Sequence, residues 1–221
     1  MKHFRQTLAL LFCLPLMGCT QIPKKNHQTM NNNISFTNTN PQNIDSCILA
    51  GGCFWCIDAV YRRMEGIVTV ESGYSNGLIQ NPSYKEVCSG GTGHAEVAKI
   101  YFDKTLTSYP QILEVYWRIH NPTTLNRQGN DIGTQYRSGI YFVNNEQERI
   151  ARASKLAAEE SGLWSQDGKI VTEILPLSNY WPAEDYHQDY YANNPENQYC
   201  VYVVGEKVEK FNKAFAHLLK K

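Results

Sequence analysis

Cys47-Ile48-Leu49-Ala50-Gly51-Gly52-Cys53-Phe54-Trp55-Cys56 is an apolar run, two glycines, then two cysteines enclosing two aromatic residues. The first four residues read as a short buried strand. Beyond the glycines, Phe54, Ile57, Tyr61 and Met64 recur at helical spacing, which predicts a helix starting at or just before Cys53. Gly51-Gly52 fits a tight strand-to-helix turn, where the backbone takes φ > 0 and leaves room above it. Cys53 then stands at a helix N-terminus, where free N–H groups and the macrodipole favour negative charge. Thiolate is the reactive form of cysteine, so the position suits a nucleophile. A helix end contributes roughly 0.3–1 kcal/mol, up to about 2 when partly buried, which lowers a thiol pKa of about 8.5 by about one unit. The alternative is an inert buried thiol, the common fate of a free cysteine.

The chain has 221 residues, 42% of them hydrophobic and 12% aromatic, enough for one domain with a sizeable core. Lys+Arg and Asp+Glu both number 21, so charge gives no argument for nucleic acid or a strongly acidic partner. The N-terminus departs from this globular pattern. Lys2, His3 and Arg5 precede an apolar run from Leu8 to Met17, which describes an export signal too short to span a bilayer. Leu16-Met17-Gly18-Cys19 resembles a bacterial lipoprotein box, with Cys19 as the lipid anchor. The division read from this is an export signal over 1–18, a disordered linker over 19–45 rich in Asn, Gln, Thr and Lys, and a folded domain over 46–221. The domain is expected outside the cytoplasm, periplasmic or at the cell surface, anchored to a membrane and monomeric. Of seven cysteines, Cys13 and Cys19 belong to the signal, leaving Cys47, Cys53, Cys56, Cys88 and Cys200. An odd number leaves a thiol over and suits a redox cycle better than a static disulfide framework.

Along the domain, Ile67-Val68-Thr69-Val70 is a β-branched run and Gly73 to Gly77 marks a turn. Asn81 to Gly93 is irregular. Glu96 to Phe102 alternates as a strand, with Glu96, Ala98, Ile100 and Phe102 on one face. Ile112, Val115, Tyr116 and Ile119 make an amphipathic helix, and Asn121 to Ser138 is a long loop of the kind that carries function. Gly139–Val143 is a strand, Glu146–Glu160 a helix, Ile170–Leu175 an added strand, and Gly205–Leu219 mostly helical. The order strand–helix–strand–strand–helix–strand predicts an α+β fold, a ferredoxin-like split βαβ two-layer core with extra loops and a C-terminal extension.

Glu96 lies by parity on the apolar face of its strand, where desolvation raises a carboxyl pKa towards neutrality. The competing reading is a solvated strand-end glutamate. Tyr84 and Tyr136, in the two glycine-rich loops, offer phenols that donate to an anionic oxygen, although packing accounts for most of the 14 tyrosines. Asp131 is either an orienting group or a turn former. His94 and His187 stand at no recognisable metal spacing with the cysteines, and no metal or other cofactor is expected.

Gly52-Cys53-Phe54-Trp55, Gly93-His94-Ala95-Glu96 and Gly129-Asn130-Asp131-Ile132-Gly133-Thr134-Gln135-Tyr136-Arg137-Ser138 together closely resemble the peptide methionine sulfoxide reductase A family. Asn81-Pro82-Ser83-Tyr84-Lys85-Glu86-Val87 and Ala183-Glu184-Asp185-Tyr186-His187-Gln188 fit the same family, over about Ile48 to Phe215. The resemblance implies that Cys53 attacks the sulfur of methionine S-sulfoxide, in proteins or free. It implies that Glu96, Tyr84 and Tyr136 hold and protonate the sulfoxide oxygen while Asp131 supports the site. Phe54 and Trp55 would wall the methyl pocket, with Gly52 and His187 among the substrate-binding residues. A sulfoxide oxygen leaves poorly until protonated, which is why a neutral carboxyl and two phenols accompany the thiol.

Methionine then departs and Cys53 is left as a sulfenic acid that a second thiol condenses with. Cys200, matching a tail position used in the family, is the first candidate and Cys56 the second, with direct reduction by an external thiol as the remaining alternative. Cβ atoms at i and i+3 lie about 5–6 Å apart in a regular helix, so a Cys53–Cys56 disulfide needs the first turn to adjust. A thioredoxin or thioredoxin-like donor would restore the thiols. Two readings of other kinds stay open: a thiol–disulfide oxidoreductase working through Cys53 and Cys56, and a non-catalytic metal-binding module on a lipid anchor.

Overall fold

The computed structural model describes residues 40–221. The export signal assigned to 1–18, its lipid cysteine Cys19, and the linker as far as residue 39 lie outside the described residues. The end of that linker is ordered, contrary to the 19–45 assignment: Asn40 caps a 3₁₀ turn over Pro41–Asn43, and the first strand begins at Ile44.

The elements run β1 (Ile44–Gly51), α1 (Phe54–Tyr61), β2 (Ile67–Ser75), α2 (Tyr84–Cys88), β3 (Ala95–Asp103), α3 (Tyr109–Ile119), β4 (Arg127–Gln128) and β5 (Asp131–Ile132). They continue with β6 (Ser138–Phe142), α4 (Asn145–Glu160), β7 (Glu173–Pro176), β8 (Tyr180–Pro182), α5 (Tyr190–Asn193), a π-helical turn over Cys200–Val204, and α6 (Gly205–Ala214). In the main sheet β1 pairs antiparallel with both β3 and β6, and β2 pairs antiparallel with β3. The resulting order β6-β1-β3-β2 is the split βαβ arrangement expected from the sequence. β7 extends the sheet beside β6 in parallel, and β8 beside β2 antiparallel.

β1 is central and buried on both faces, which is why it reads as a continuous apolar run. Cys47 and Leu49 face the helices, while Ile48 and Ala50 pack with Ala95, Val97 and Tyr141 on the opposite face. α1 is shorter and more enclosed than its periodicity suggests. It ends at Tyr61, Met64 lies beyond it in a bridge to Leu219, and every α1 residue except Trp55 is buried. The sheet covers one side of α1, and α5, the π-helical turn and α6 cover the other. A helix covered all round carries apolar residues all round.

The segment from Gly73 to Gly77 is not a turn at its start, because β2 continues to Ser75 in register with Ala95. Gly73 serves a close approach: a Cβ there would stand 2.6 Å from the Tyr180 ring. The irregular stretch 81–93 holds α2, closed by a capping box in which Glu86 N–H donates to the Ser83 hydroxyl and Ser83 N–H to the Glu86 carboxylate. The long loop 121–138 contains the β4–β5 hairpin and a 3₁₀ turn over Thr134–Tyr136.

Candidate active site

Four segments meet at the start of α1. The β1–α1 turn depends on Gly52, whose φ is +90° and whose missing side chain leaves space occupied by Gln128. Gln128 is itself pinned, its amide accepting from Asn121 N–H at 3.0 Å and donating to Asn121 C=O at 3.0 Å. Cys53 follows as the N-cap of α1, with extended backbone and no side-chain capping bond. The Glu96 carboxyl fills that role instead, its Oε2 accepting from Phe54 N–H at 3.1 Å.

The strand parity holds: Glu96 shares a face with Ala98, Ile100 and Phe102, which belong to the helix-side core. Glu96 is 1% exposed. Burial pushes its carboxyl up to about 8, outweighing the Phe54 bond that favours ionisation, with Asp131 and Cys56 adding to the rise. At neutral pH the group is mostly protonated. With Oε2 occupied by the backbone donor, Oε1 is the oxygen free to carry the proton.

Two phenols face this carboxyl. Tyr84 opens α2, its N–H donating to Glu184 Oε1 at 2.8 Å, while Tyr74 donates its hydroxyl to Glu184 Oε2 at 2.8 Å. Tyr136 closes the 3₁₀ turn of the long loop. Burial first, then the nearby Glu96 and neighbouring thiols, raise both phenols above the ordinary tyrosine range, so both stay neutral donors. Tyr84 also lies within hydrogen-bond reach of Cys88.

The aromatic wall is built around His187. Its ring lies 4.9 Å from Phe54 and 4.5 Å from Tyr84, and Trp55 Nε1–H donates to His187 Nδ1 at 3.2 Å. That bond places the neutral ring's proton on Nε2, 3.9 Å from Glu184 Oε2, and burial lowers the His187 pKa. Trp55 stacks on Tyr190 at 3.6 Å and meets Tyr199 edge-on at 5.8 Å. The C-terminal segment thus roofs the indole.

Cys53 is 6% exposed and Cys56 is fully buried, their sulfurs in hydrogen-bond contact. Burial pushes the Cys53 thiol up, reinforced by the bond to Cys56 and the charge of Glu96, against a lowering contact from Tyr199. The lowering expected from the helix terminus is therefore reversed for Cys53, because desolvation exceeds what a helix end supplies. Accepting that bond from Cys53 eases Cys56 down to about 7 against burial, with Lys207 adding to the effect. The two titrate as one unit, with one proton readily lost and the other held. Cys200 is also fully buried, in the π-helical turn, and faces Cys56. Cys56, not the tail cysteine placed first from the sequence, is thus the thiol that touches Cys53.

Asp131, at the start of β5, accepts from the Tyr199 hydroxyl at 2.6 Å. The same hydroxyl is within bonding reach of Cys53, so two acceptors share one hydrogen. Sequence reasoning did not find this role of Tyr199: nothing in its local pattern marks it, and it arrives only because the tail folds back. His94 takes no part in the site, its Nε2 bonding Ile79 C=O at 2.7 Å and fixing the 77–79 loop. Among the described residues no group of three or more His, Cys, Asp or Glu side chains is placed to hold a metal ion.

The family profile described as peptide methionine sulfoxide reductase matches residues 45–219. The chain belongs to this family. It is 50% identical over 173 residues to the peptide methionine sulfoxide reductase MsrA of Pasteurella multocida, a match covering 78% of this chain and 97% of that protein. The MsrA of Saccharolobus solfataricus is 49% identical over 172 residues, covering 78% and 95% respectively. Among solved structures, methionine sulfoxide reductase A of Corynebacterium diphtheriae aligns with a TM-score of 0.68 at 32% identity, covering 74% of this chain and 81% of that one. This methionine sulfoxide reductase therefore sets a buried acid, two neutral phenols and a coupled thiol pair around the N-terminus of one helix.

Proposed function

We propose that the chain reduces methionine S-sulfoxide, in proteins or free, to methionine, with Cys53 as nucleophile and Glu96 as general acid. The observation that carries this reading is the Glu96 carboxyl, buried and bonded to Phe54 N–H one residue from the Cys53 sulfur. Thiol–disulfide exchange expels a thiolate, which leaves without a proton, whereas a sulfoxide oxygen leaves only once protonated. Cys53, passing its proton to the Cys56 sulfur that it bonds, attacks the sulfoxide sulfur as Glu96, steadied by Tyr84 and Tyr136, gives its proton to the oxygen. The hydroxyl then passes from the substrate sulfur to the Cys53 sulfur as the bond between the two sulfurs breaks, so that methionine leaves and Cys53 becomes a sulfenic acid. The substrate methyl group rests against Phe54 and Trp55.

Cys56 then attacks the Cys53 sulfur, releasing water and closing a disulfide, and Cys200 stands next to it as a further thiol. A thioredoxin-like dithiol returns the pair to the reduced state. The separating experiment is Glu96→Gln assayed on two substrates. It cripples reduction of methionine S-sulfoxide and leaves exchange with a small disulfide substantially intact; equal loss of both favours the oxidoreductase reading.

Lys2, His3 and Arg5, the apolar run and Cys19 support export and attachment to a membrane through a lipid on Cys19, with the domain acting there as a monomer. Incorporation of labelled palmitate that disappears in Cys19→Ala supports the anchor, and its absence from the parent chain refutes it.

A further inference from the structure

A cavity of about 490 Å³ is lined by Gln128, Asp131, Tyr199, Glu206, Lys207 and Lys210 among others, and by neither Tyr84 nor Tyr136. Lys207, near the start of α6, is half-buried, and its ammonium lies within hydrogen-bond reach of the Cys56 sulfur. Among the described residues no carboxylate comes within ion-pair distance of Lys207, although other surface lysines and arginines of this chain find one. Such a cation beside a fully buried thiol has one evident electrostatic effect, to favour sulfur in its charged form. α6 packs on α1, so the contact is part of the fold.

We propose that Lys207 is a catalytic residue of the resolving half-reaction: it holds Cys56 as a thiolate and protonates the oxygen expelled from Cys53. This rests on the reading of Cys56 as the resolving thiol. In the step, the Cys56 thiolate attacks the sulfur of Cys53–SOH, the S–O bond breaks and an S–S bond forms. Cys56 is oxidised, Cys53 is reduced, and hydroxide leaves with a proton from the Lys207 ammonium as water. Lys207 regains its proton from solvent through the cavity that it lines. Other groups facing Cys56 are Cys53, Tyr199 and Cys200, with Asp131 and Glu96 as the nearby carboxyls. Both carboxyls oppose a charge on Cys56 when ionised, which makes Lys207 the favourable counter-charge.

The test is a single turnover of the full chain with one equivalent of N-acetyl-methionine S-sulfoxide and no reductant. Sulfenic acid is trapped with dimedone and disulfides are mapped by mass spectrometry between pH 5.5 and 9.5. In Lys207→Met, disulfide formation at pH 7 is expected to slow roughly tenfold, the thiolate fraction lost when removal of an adjacent positive charge raises a thiol by about one pKa unit. Its pH midpoint moves up, trapped Cys53 sulfenic acid accumulates, and Lys207→Arg restores the rate to within about threefold, since a charge and a donor are retained. Lys207→Gln serves as a second neutral variant if methionine disturbs α6. An unchanged rate and midpoint in both neutral variants overturns the proposal, as does an arginine variant no faster than the neutral ones. Cys56→Ser keeps the two claims apart. If it stalls as sulfenic acid, the reading of Cys56 stands whatever Lys207 does. If it closes a Cys53–Cys200 bond at the parent rate, that reading falls and the role of Lys207 with it.

Discussion

Glu96→Gln keeps the shape of the site, because the amide oxygen still accepts from Phe54 N–H, and removes only the transferable proton. General acids contribute roughly 10²- to 10⁴-fold, so the rate of methionine formation in a single turnover should fall by that range at pH 7. The parent should itself slow as pH rises through about 8, where Glu96 loses its proton, and the glutamine variant should show no such decline. A second consequence concerns stability. The folded chain holds the Glu96 proton up to about 8, while an ordinary glutamate releases it near 4.5, so between these values folding binds a proton. Stability conferred by the protonated carboxyl is therefore lost as pH rises from 4.5 through about 8. At about 1.4 kcal/mol per unit, the parent should lose on the order of 4 kcal/mol relative to Glu96→Gln between pH 5 and pH 9. Rapid-quench assay of methionine and urea melts at both pH values measure the two effects. A variant within about threefold of the parent at pH 7, or a stability gap that does not move with pH, refutes the assignment of Glu96 as a buried acid.

Three further outcomes are expected. Gly52→Ala places a Cβ 2.5 Å from the Gln128 side chain at φ +90°, and Gln128 is held by two bonds to Asn121. A loss of about 1–3 kcal/mol follows, read as a lowered urea midpoint, and a neutral result would show that the turn relaxes freely. Tyr199→Phe removes the hydroxyl between Asp131 and Cys53 and should slow sulfur attack with little change in urea midpoint; equal slowing in Asp131→Asn would place both on one path. Reaction of Cys53 with iodoacetamide should lack the strongly lowered pH midpoint of an isolated helix-terminal thiolate, and a midpoint near 5 would contradict the burial of that sulfur.

The core architecture was legible because its signals are local. The β1–α1 turn is written in two glycines, and the orientation of Glu96 follows from alternation along β3 with Ala98, Ile100 and Phe102. α2 was also legible in principle, since Ser83-Tyr84-Lys85-Glu86 is a capping box, but a glycine-rich neighbourhood hid it. Gly73 misled in the opposite direction: glycine marks turns, yet here it makes room for Tyr180 between neighbouring strands. What no window of sequence contains is the return of the tail. Tyr190, Tyr199, Cys200 and Lys207 lie more than 130 residues from Cys53, and only the folded chain brings them over α1. The thiol pKa was misjudged for the same reason, because the helix end was visible and the roof that desolvates it was not.

β1 enters the domain at Ile44 and delivers the chain to Gly51, next to the reactive sulfur. Eight extended residues at about 3.3 Å each put the point of entry roughly 25 Å from Cys53, at the opposite rim of the sheet. The polypeptide thus enters the sheet at the end of β1 remote from the reactive sulfur, and anything joined ahead of Ile44 meets the domain at that end.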